Sequence, residues 1–444
     1  MFLLSLLLAA PIQPTVPASS TPVTLQPVAA FNATGGASTG VKAAPDLSGT
    51  FILDYKLLQA SKQKVLAKDP TYLKALAQLE KAAAPALATR EYGSVMEKPQ
   101  VAVSGDKHDY LSLGPYWWPD PTKPDGLPYI RKDGQGNPEN RAITDHKNLA
   151  AMIENVHSLA LAYYFNQDEA YAKQAVKMLQ VFFIDPATRM NPNLNYAQVL
   201  KGHNGGNGRG AGIVDTEHLV EVIDAIQLLK SSPNLTPTDY AGLQKWFGDY
   251  SNWLVTSKNG KEIAASNNNI SSLYELQVIS YALFAGKTDF ARQRFQENVI
   301  PRLATQFRAN GEQPAELART QPWTYSNKNL NGWFQLATVA QSLGIDLWNL
   351  ESNGRSLKTA FKMMLGYALQ PDTWPYKELK GGITLRYLVN SARTASIVWP
   401  DLREPIWKFL QKSHEDFDSG VHSNLLTQPY YWNDNPPPAT LVTN

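Results

Sequence analysis

A chain of 444 residues with 43% hydrophobic and 18% charged side chains can bury a substantial core, and its length admits one large domain or two to three ordinary ones. The 41 basic and 39 acidic residues are spread without long like-charge blocks, which speaks against a nucleic-acid partner, and the absence of cysteine excludes disulfides, thiolate metal sites and a thiol nucleophile. The 11 Trp and 20 Tyr offer flat faces with a polar edge, which suit sugar rings as well as a core.

Residues 1–10, MFLLSLLLAA, form an apolar run that ends in small residues. Such a run suits an export signal and is too short to span a bilayer. The expectation is an exported protein, periplasmic or secreted, with no integral membrane segment in the mature chain. Residues 11–46 are rich in Pro, Thr, Ser, Ala and Gly, a composition that orders poorly and is expected to form a linker. The ordered body is expected over 47–431, followed by a loose tail over 432–444 that contains three consecutive prolines, Pro436 to Pro438.

Helical periodicity recurs through that body. Leu149, Met152, Val156, Leu159 and Tyr163 share one face, and Leu219, Val222, Ile226 and Leu229 share another. Similar patterns fall near 52–67, 72–88, 168–183, 237–256, 270–285, 288–308, 328–343, 355–369, 379–393 and 402–416. Helices of this number, joined mostly by short polar segments, predict a single all-α domain of antiparallel helix pairs. Their uneven lengths give no fixed repeat, which favours a closed (α/α) toroid over a solenoid.

Three long connections, near 89–143, 185–214 and 309–327, break the rhythm, and such segments commonly carry function. The first offers Tyr116, Trp117 and Trp118 ahead of Pro119, either as a sugar-stacking wall or as a loop pinned to the core. His146 follows at a helix start, where it is either solvated or turned to a substrate. The second connection carries Asn195 and Gln198, then a glycine-rich stretch from Gly202 to Gly210 whose His203 and Arg209 can face an anion. That stretch lacks G-x-x-x-x-G-K-[ST] and a preceding strand, so it does not suit a phosphate loop. Asn267, Asn268 and Asn269 open a further helix, where asparagine serves as a cap. In the third connection Arg319 and Tyr325 flank Pro322, an arrangement that suits a structural hook or a site. No H-E-x-x-H or comparable cluster points to a metal.

The runs DYLSLGPYWWPDPTKPDGLPYIRKDG, DPATRMNPNLNYAQ, GRGAGIVDT, TSKNGKEIAASNNNISSLYELQ and ELARTQPWTYS resemble, in this order, stretches of the alginate-lyase family of polysaccharide lyases, over about residues 100–380. The resemblance implies an (α/α) toroid with a groove, no obligatory metal or organic cofactor, and β-elimination from an acidic polysaccharide such as alginate or a glucuronan-like polymer. It further implies that Tyr325 is the catalytic tyrosine, Arg319 its accompanying arginine, and Asn268 and Asn269 the paired asparagines. Tyr116, Trp117, Trp118, His146, Asn195, Gln198, His203 and Arg209 are then the candidates for holding the polymer. A phenol ionises near pH about 10, so Tyr325 needs a neighbouring cation such as Arg319 to work as a base.

One departure stands out. Where the family reads Asn-Asn-His-Gly-Thr-Trp-Tyr, this chain reads Asn268-Asn269-Ile270-Ser271-Ser272-Leu273-Tyr274, with no imidazole. Either Tyr325 serves as both base and acid, or His203 or His146 supplies the imidazole, or the protein binds polymer without cutting it. A hydrolase built on the same fold is the other alternative, and would need two carboxyl groups from among Asp215, Glu217 and Glu316.

Overall fold

The computed structural model describes residues 49–379, 381–413 and 426–427. The expected export signal (1–10), linker (11–46) and tail (432–444) lie outside the described residues.

Asp54 and Asp69 open the first two helices by accepting N–H groups of the first turn, the usual service of a short acceptor side chain at a helix start. These helices are α1 (Tyr55–Leu66) and α2 (Pro70–Ala88). They are followed by α3 (Asp145–Asn166), α4 (Glu169–Leu179), α5 (Leu219–Leu229), α6 (Pro237–Thr256), α7 (Lys258–Ala264) and α8 (Asn269–Phe284). The remainder are α9 (Thr288–Arg294), α10 (Ile300–Gln306), α11 (Pro314–Leu317), α12 (Pro322–Ser342), α13 (Leu357–Leu369), α14 (Arg386–Val398) and α15 (Arg403–Lys412).

The packing follows the toroid pattern. Helices α3, α5, α8, α12 and α14 touch one another in turn, while α4, α6, α9, α13 and α15 back them from outside. Helix α8 lies deepest: every residue from Ser271 to Phe284 is buried. It therefore has no polar stripe, as expected of a helix covered on all sides. An aromatic cluster of Phe183, Trp246, Phe247, Tyr250 and Tyr281 fills the space around α6 and α8 with tilted and edge-on rings. No described helix is long and apolar enough to cross a membrane.

The buried Asp224 of α5 fastens the start of the described chain. Its Oδ1 accepts the Phe51 N–H at 2.5 Å, and its Oδ2 accepts those of Ile52 and Leu53 at 3.0 and 2.8 Å. Burial nevertheless pushes this carboxyl up to about 7, because three dipoles only partly replace lost hydration.

The long connections hold more regular structure than the periodicity predicts. Strand β1 (Leu111–Leu113) pairs in parallel with β4 (Tyr196–Val199), which ties the first connection to the second. Strand β2 (Trp117–Trp118) pairs antiparallel with β3 (Ile130–Arg131). The third connection is shorter than expected, since it contains α11 and since α12 begins at Pro322 rather than near 328. Proline reads as a breaker, yet it fits the first helical position, where the missing N–H has no partner to lose. Helix α14 likewise starts at Arg386 rather than near 379.

Candidate active site

Tyr325 lies in the first turn of α12, and the residues ahead of it shape its surroundings. The Trp323 N–H donates to Glu378 at 2.8 Å and its indole donates to the Thr384 carbonyl at 2.8 Å, which fixes the helix start. Arg319 places its guanidinium over the Tyr325 ring, with Cζ 3.7 Å from the centroid.

Asp133, just past β3, grips the same guanidinium. Arg319 Nε and Nη2 donate to its two oxygens at 3.2 and 3.0 Å, Thr320 Oγ1 donates at 3.1 Å, and Arg131 donates at 2.6 Å. Burial works to raise the Asp133 carboxyl, but these donors outweigh it and hold it at about 2. Gly134 follows with φ +72°, and a Cβ there would lie 2.8 Å from Thr320 Oγ1, so the close approach requires glycine.

The β2–β3 hairpin also delivers Tyr116. Its carbonyl accepts the Lys132 N–H at 2.8 Å, and its hydroxyl lies 3.2 Å from that of Tyr325. The Tyr325 phenol stands above its ordinary range, chiefly through burial and next through Tyr116, with Arg319 pulling the other way. Trp118 donates its indole N–H to the Gln135 carbonyl at 2.9 Å, with Lys132 over its ring.

A second group surrounds Asp215. Tyr110 and Ser112 donate their hydroxyls to Oδ2 at 3.1 and 2.5 Å, and Gln198 donates to Oδ1 at 2.9 Å. Burial raises the Asp215 carboxyl, while these donors and the exposed His146 oppose the rise. Gln198 is thus committed to Asp215, and Asn195 accepts the Trp253 indole N–H at 3.0 Å. His203 donates Nε2–H to the Tyr129 carbonyl at 2.8 Å and meets the Trp117 ring edge-on at 5.2 Å. It fastens the glycine-rich stretch to the hairpin.

The glycines of that stretch permit backbone packing. A Cβ on Gly208 would lie 2.4 Å from the Ala197 carbonyl oxygen, so only glycine lets the loop rest against β4. Between the packed glycines Arg209 is half-buried, and its Nε has no hydrogen-bond partner among the described residues. Burial first, and the like charge of Arg131 second, hold its guanidinium below the ordinary range, while Glu262 and Asp215 oppose that shift.

The asparagines divide. Asn268 caps α8 through Oδ1, which accepts the Ile270 N–H at 3.2 Å, and its Nδ2 has no hydrogen bond to another described residue. Asn269 is buried and commits both its backbone N–H and its Nδ2 to Glu316, at 2.5 and 2.6 Å. Ile270 packs against the core.

The residues that sequence reasoning missed are mostly those that hold others. Asp133 lies 186 positions from Arg319 and carries no pattern. Lys328 follows Tyr325 by one helical turn and pairs with Glu217 at 2.8 Å, a spacing visible only once α12 is known to start early. His157 and His218 both hold Glu221, at 3.1 and 2.8 Å. Of the carboxyls considered for hydrolysis, Glu316 is 1% exposed with both oxygens bound, Asp215 is occupied by three donors, and Glu217 is ion-paired. None is presented as one of two free acids flanking a bond.

The alginate lyase family profile matches residues 94–374. The crystal structure of an alginate lyase from Bacteroides ovatus is 39% identical, with a TM-score of 0.79, over 84% of this chain and 98% of the other. Alginate lyase A1-III of Sphingomonas species A1, in complex with a tetrasaccharide, shares the fold at 14% identity and a TM-score of 0.52, over 80% of this chain and 89% of the other. A search of curated protein sequences finds no match.

Proposed function

Because this chain belongs to the alginate lyase family, and is therefore a polysaccharide lyase, we propose that it cleaves a D-mannuronate or D-glucuronate polymer by syn β-elimination at Tyr325. The observation that carries this reading is the head of α12, where the Tyr325 hydroxyl lies beside that of Tyr116 and its ring lies under the Arg319 guanidinium.

Elimination starts with the C5 proton, which is alpha to the sugar carboxylate and leaves only when that carboxylate's charge is offset. Asn268 Nδ2 is the donor suited to that task, with the half-buried Arg209 supplying positive charge from the glycine-rich stretch; Asn269 positions Asn268 from behind through Glu316. Tyr325 then takes the proton. His203 is turned to the Tyr129 carbonyl and His146 is exposed, so the phenols are left as the groups best placed for proton transfer.

The stereochemistry narrows the substrate. Proton removal and proton delivery by groups at one point act on a single face of the sugar, which favours units whose C5–H and C4–O bonds share a face. D-Mannuronate and D-glucuronate meet that condition, whereas L-guluronate and D-galacturonate do not. A large polyanion is met outside the cell, which suits export of the chain through its first ten residues to the periplasm or the medium.

The test is incubation with polymannuronate, glucuronan and polyguluronate, following the ultraviolet absorbance of the C4–C5 unsaturated product. The first or second polymer should yield it. New reducing ends without that absorbance would instead mean hydrolysis.

A further inference from the structure

We propose that Tyr116 is a second catalytic residue, the acid that protonates the departing sugar oxygen while Tyr325 acts as the base. The inference rests on the lyase reading above and goes beyond it by dividing the proton work between two phenols.

The geometry points there in three ways. The two hydroxyl oxygens are 3.2 Å apart, a long hydrogen bond in which either can donate. The backbone on both sides of Tyr116 is clamped by one residue: the Asn137 N–H donates to the Pro115 carbonyl at 2.7 Å, and Asn137 Nδ2 donates to the Trp117 carbonyl at 2.8 Å. A ring needed only as a stacking surface requires no such fixed hydroxyl. Finally, the same hairpin carries Asp133, which holds Arg319 against Tyr325. One element therefore sets the second phenol and the electrostatics of the first.

The charges around the pair assign the roles. Arg319 lies over Tyr325, with Asp133 and Arg131 behind it. Once the pair has lost one proton, the guanidinium over its ring favours the negative charge on Tyr325 against the burial that opposes it, and the remaining proton lies on Tyr116 as donor to that oxygen.

The steps balance. The Tyr325 oxyanion takes the C5 proton, the C5–H electron pair becomes the C4–C5 double bond, and the C4–O bond breaks. The Tyr116 hydroxyl gives its proton to the leaving oxygen, which departs as an alcohol. Tyr325 now holds a proton and Tyr116 a negative charge; transfer across the hydrogen bond between them restores the starting pair. The proton transfers need no group beyond the two phenols.

A leaving group that departs without a proton separates the roles. Wild type, Tyr116→Phe and Tyr325→Phe are compared on polymannuronate and on a mannuronate bearing 2,4-dinitrophenoxide at C4, with near-ultraviolet circular dichroism as the folding control. On the polymer Tyr116→Phe should lose about 10²- to 10⁴-fold in kcat, the range of a positioned general acid, and on the activated substrate it should approach wild type. Tyr325→Phe should lose on both. Equal losses by Tyr116→Phe on both substrates, no loss on the polymer, or rescue of Tyr325→Phe by the activated substrate would each overturn the assignment. A wild type that makes no unsaturated product from any uronate overturns the lyase reading itself.

Discussion

The Arg319 guanidinium is held between Asp133 and the ring of Tyr325, 3.0 Å from the carboxylate Oδ1 and 3.7 Å from the ring centroid. A planar cation fits this slot because it offers two parallel N–H donors to one partner and a flat face to the other. Replacing Arg319 by Lys keeps the charge and loses both features. We predict a fall of about 10²-fold in kcat with polymer affinity little changed, comparable to the loss of one preorganised electrostatic contact. Asp133→Asn should reproduce part of the loss, and the double variant should lose less than the sum of the single effects. Strict additivity would show that Asp133 does not act through Arg319.

Glu316 gives a pH signature. Burial raises its carboxyl from the ordinary 4.5 to about 6, against the pull of the Asn269 donors. The folded value lies above the unfolded one, so the folded chain binds more protons between them. The contribution of this group is fully present below about 4.5 and is lost as the pH rises through about 6. Wild type should therefore lose about 2 kcal/mol through this residue across that window, and Glu316→Gln should not. Denaturant unfolding at pH values on either side compares the two. Asp224 titrates in both proteins and cancels in the difference. A difference in stability that does not change with pH would contradict the account.

Asp224 makes a structural prediction at the start of the described chain. Asn in its place keeps one acceptor oxygen and turns an amide donor toward N–H groups that were bound to a carboxylate. The change should cost about 3 kcal/mol, the scale of lost hydrogen bonds to a buried charged group. Hydrogen exchange locates the effect: the amides of Phe51, Ile52 and Leu53 should exchange faster while those of α8 keep their protection. Unchanged exchange at the three amides would show that the Asp224 hydrogen bonds do not hold this segment.

Much of this arrangement was legible in the sequence, and its gaps have physical causes. The helices of the toroid could be read because each buries a stripe of Leu, Ile, Val and aromatic residues at helical spacing, as in Leu219, Val222, Ile226 and Leu229. Tyr325, Arg319 and Asn268 were flagged by their segments, but no periodicity reports that Arg319 meets Asp133 or that Tyr116 meets Tyr325. Those meetings depend on chain crossing between elements 186 and 209 positions apart. Pro322 concealed the start of α12 because proline is unfavourable within a helix and favourable at its first position, and sequence alone did not show which applied. By sequence, the glycines of residues 202–210 suit a backbone that approaches a ligand closely. Gly208 instead serves contact with Ala197.

Gly208→Ala checks that reading. The added methyl meets a backbone oxygen that cannot step aside, so the loop must lift and carry Arg209 with it. We predict a fall in kcat/KM of roughly 10-fold, about 1.4 kcal/mol, since a displaced Arg209 both holds the polymer less tightly and offsets less of the sugar carboxylate's charge. Unchanged kcat/KM in a folded Gly208→Ala protein would remove the loop from the site.

The central claim is that the Tyr325 hydroxyl performs the elimination. The direct measurement is the rate of unsaturated-product absorbance on polymannuronate and on glucuronan for wild type and Tyr325→Phe, with polymer binding recorded for both by calorimetry. The account predicts product from wild type, none above background from Tyr325→Phe, and similar binding by both. Turnover by Tyr325→Phe near the wild-type rate would contradict it.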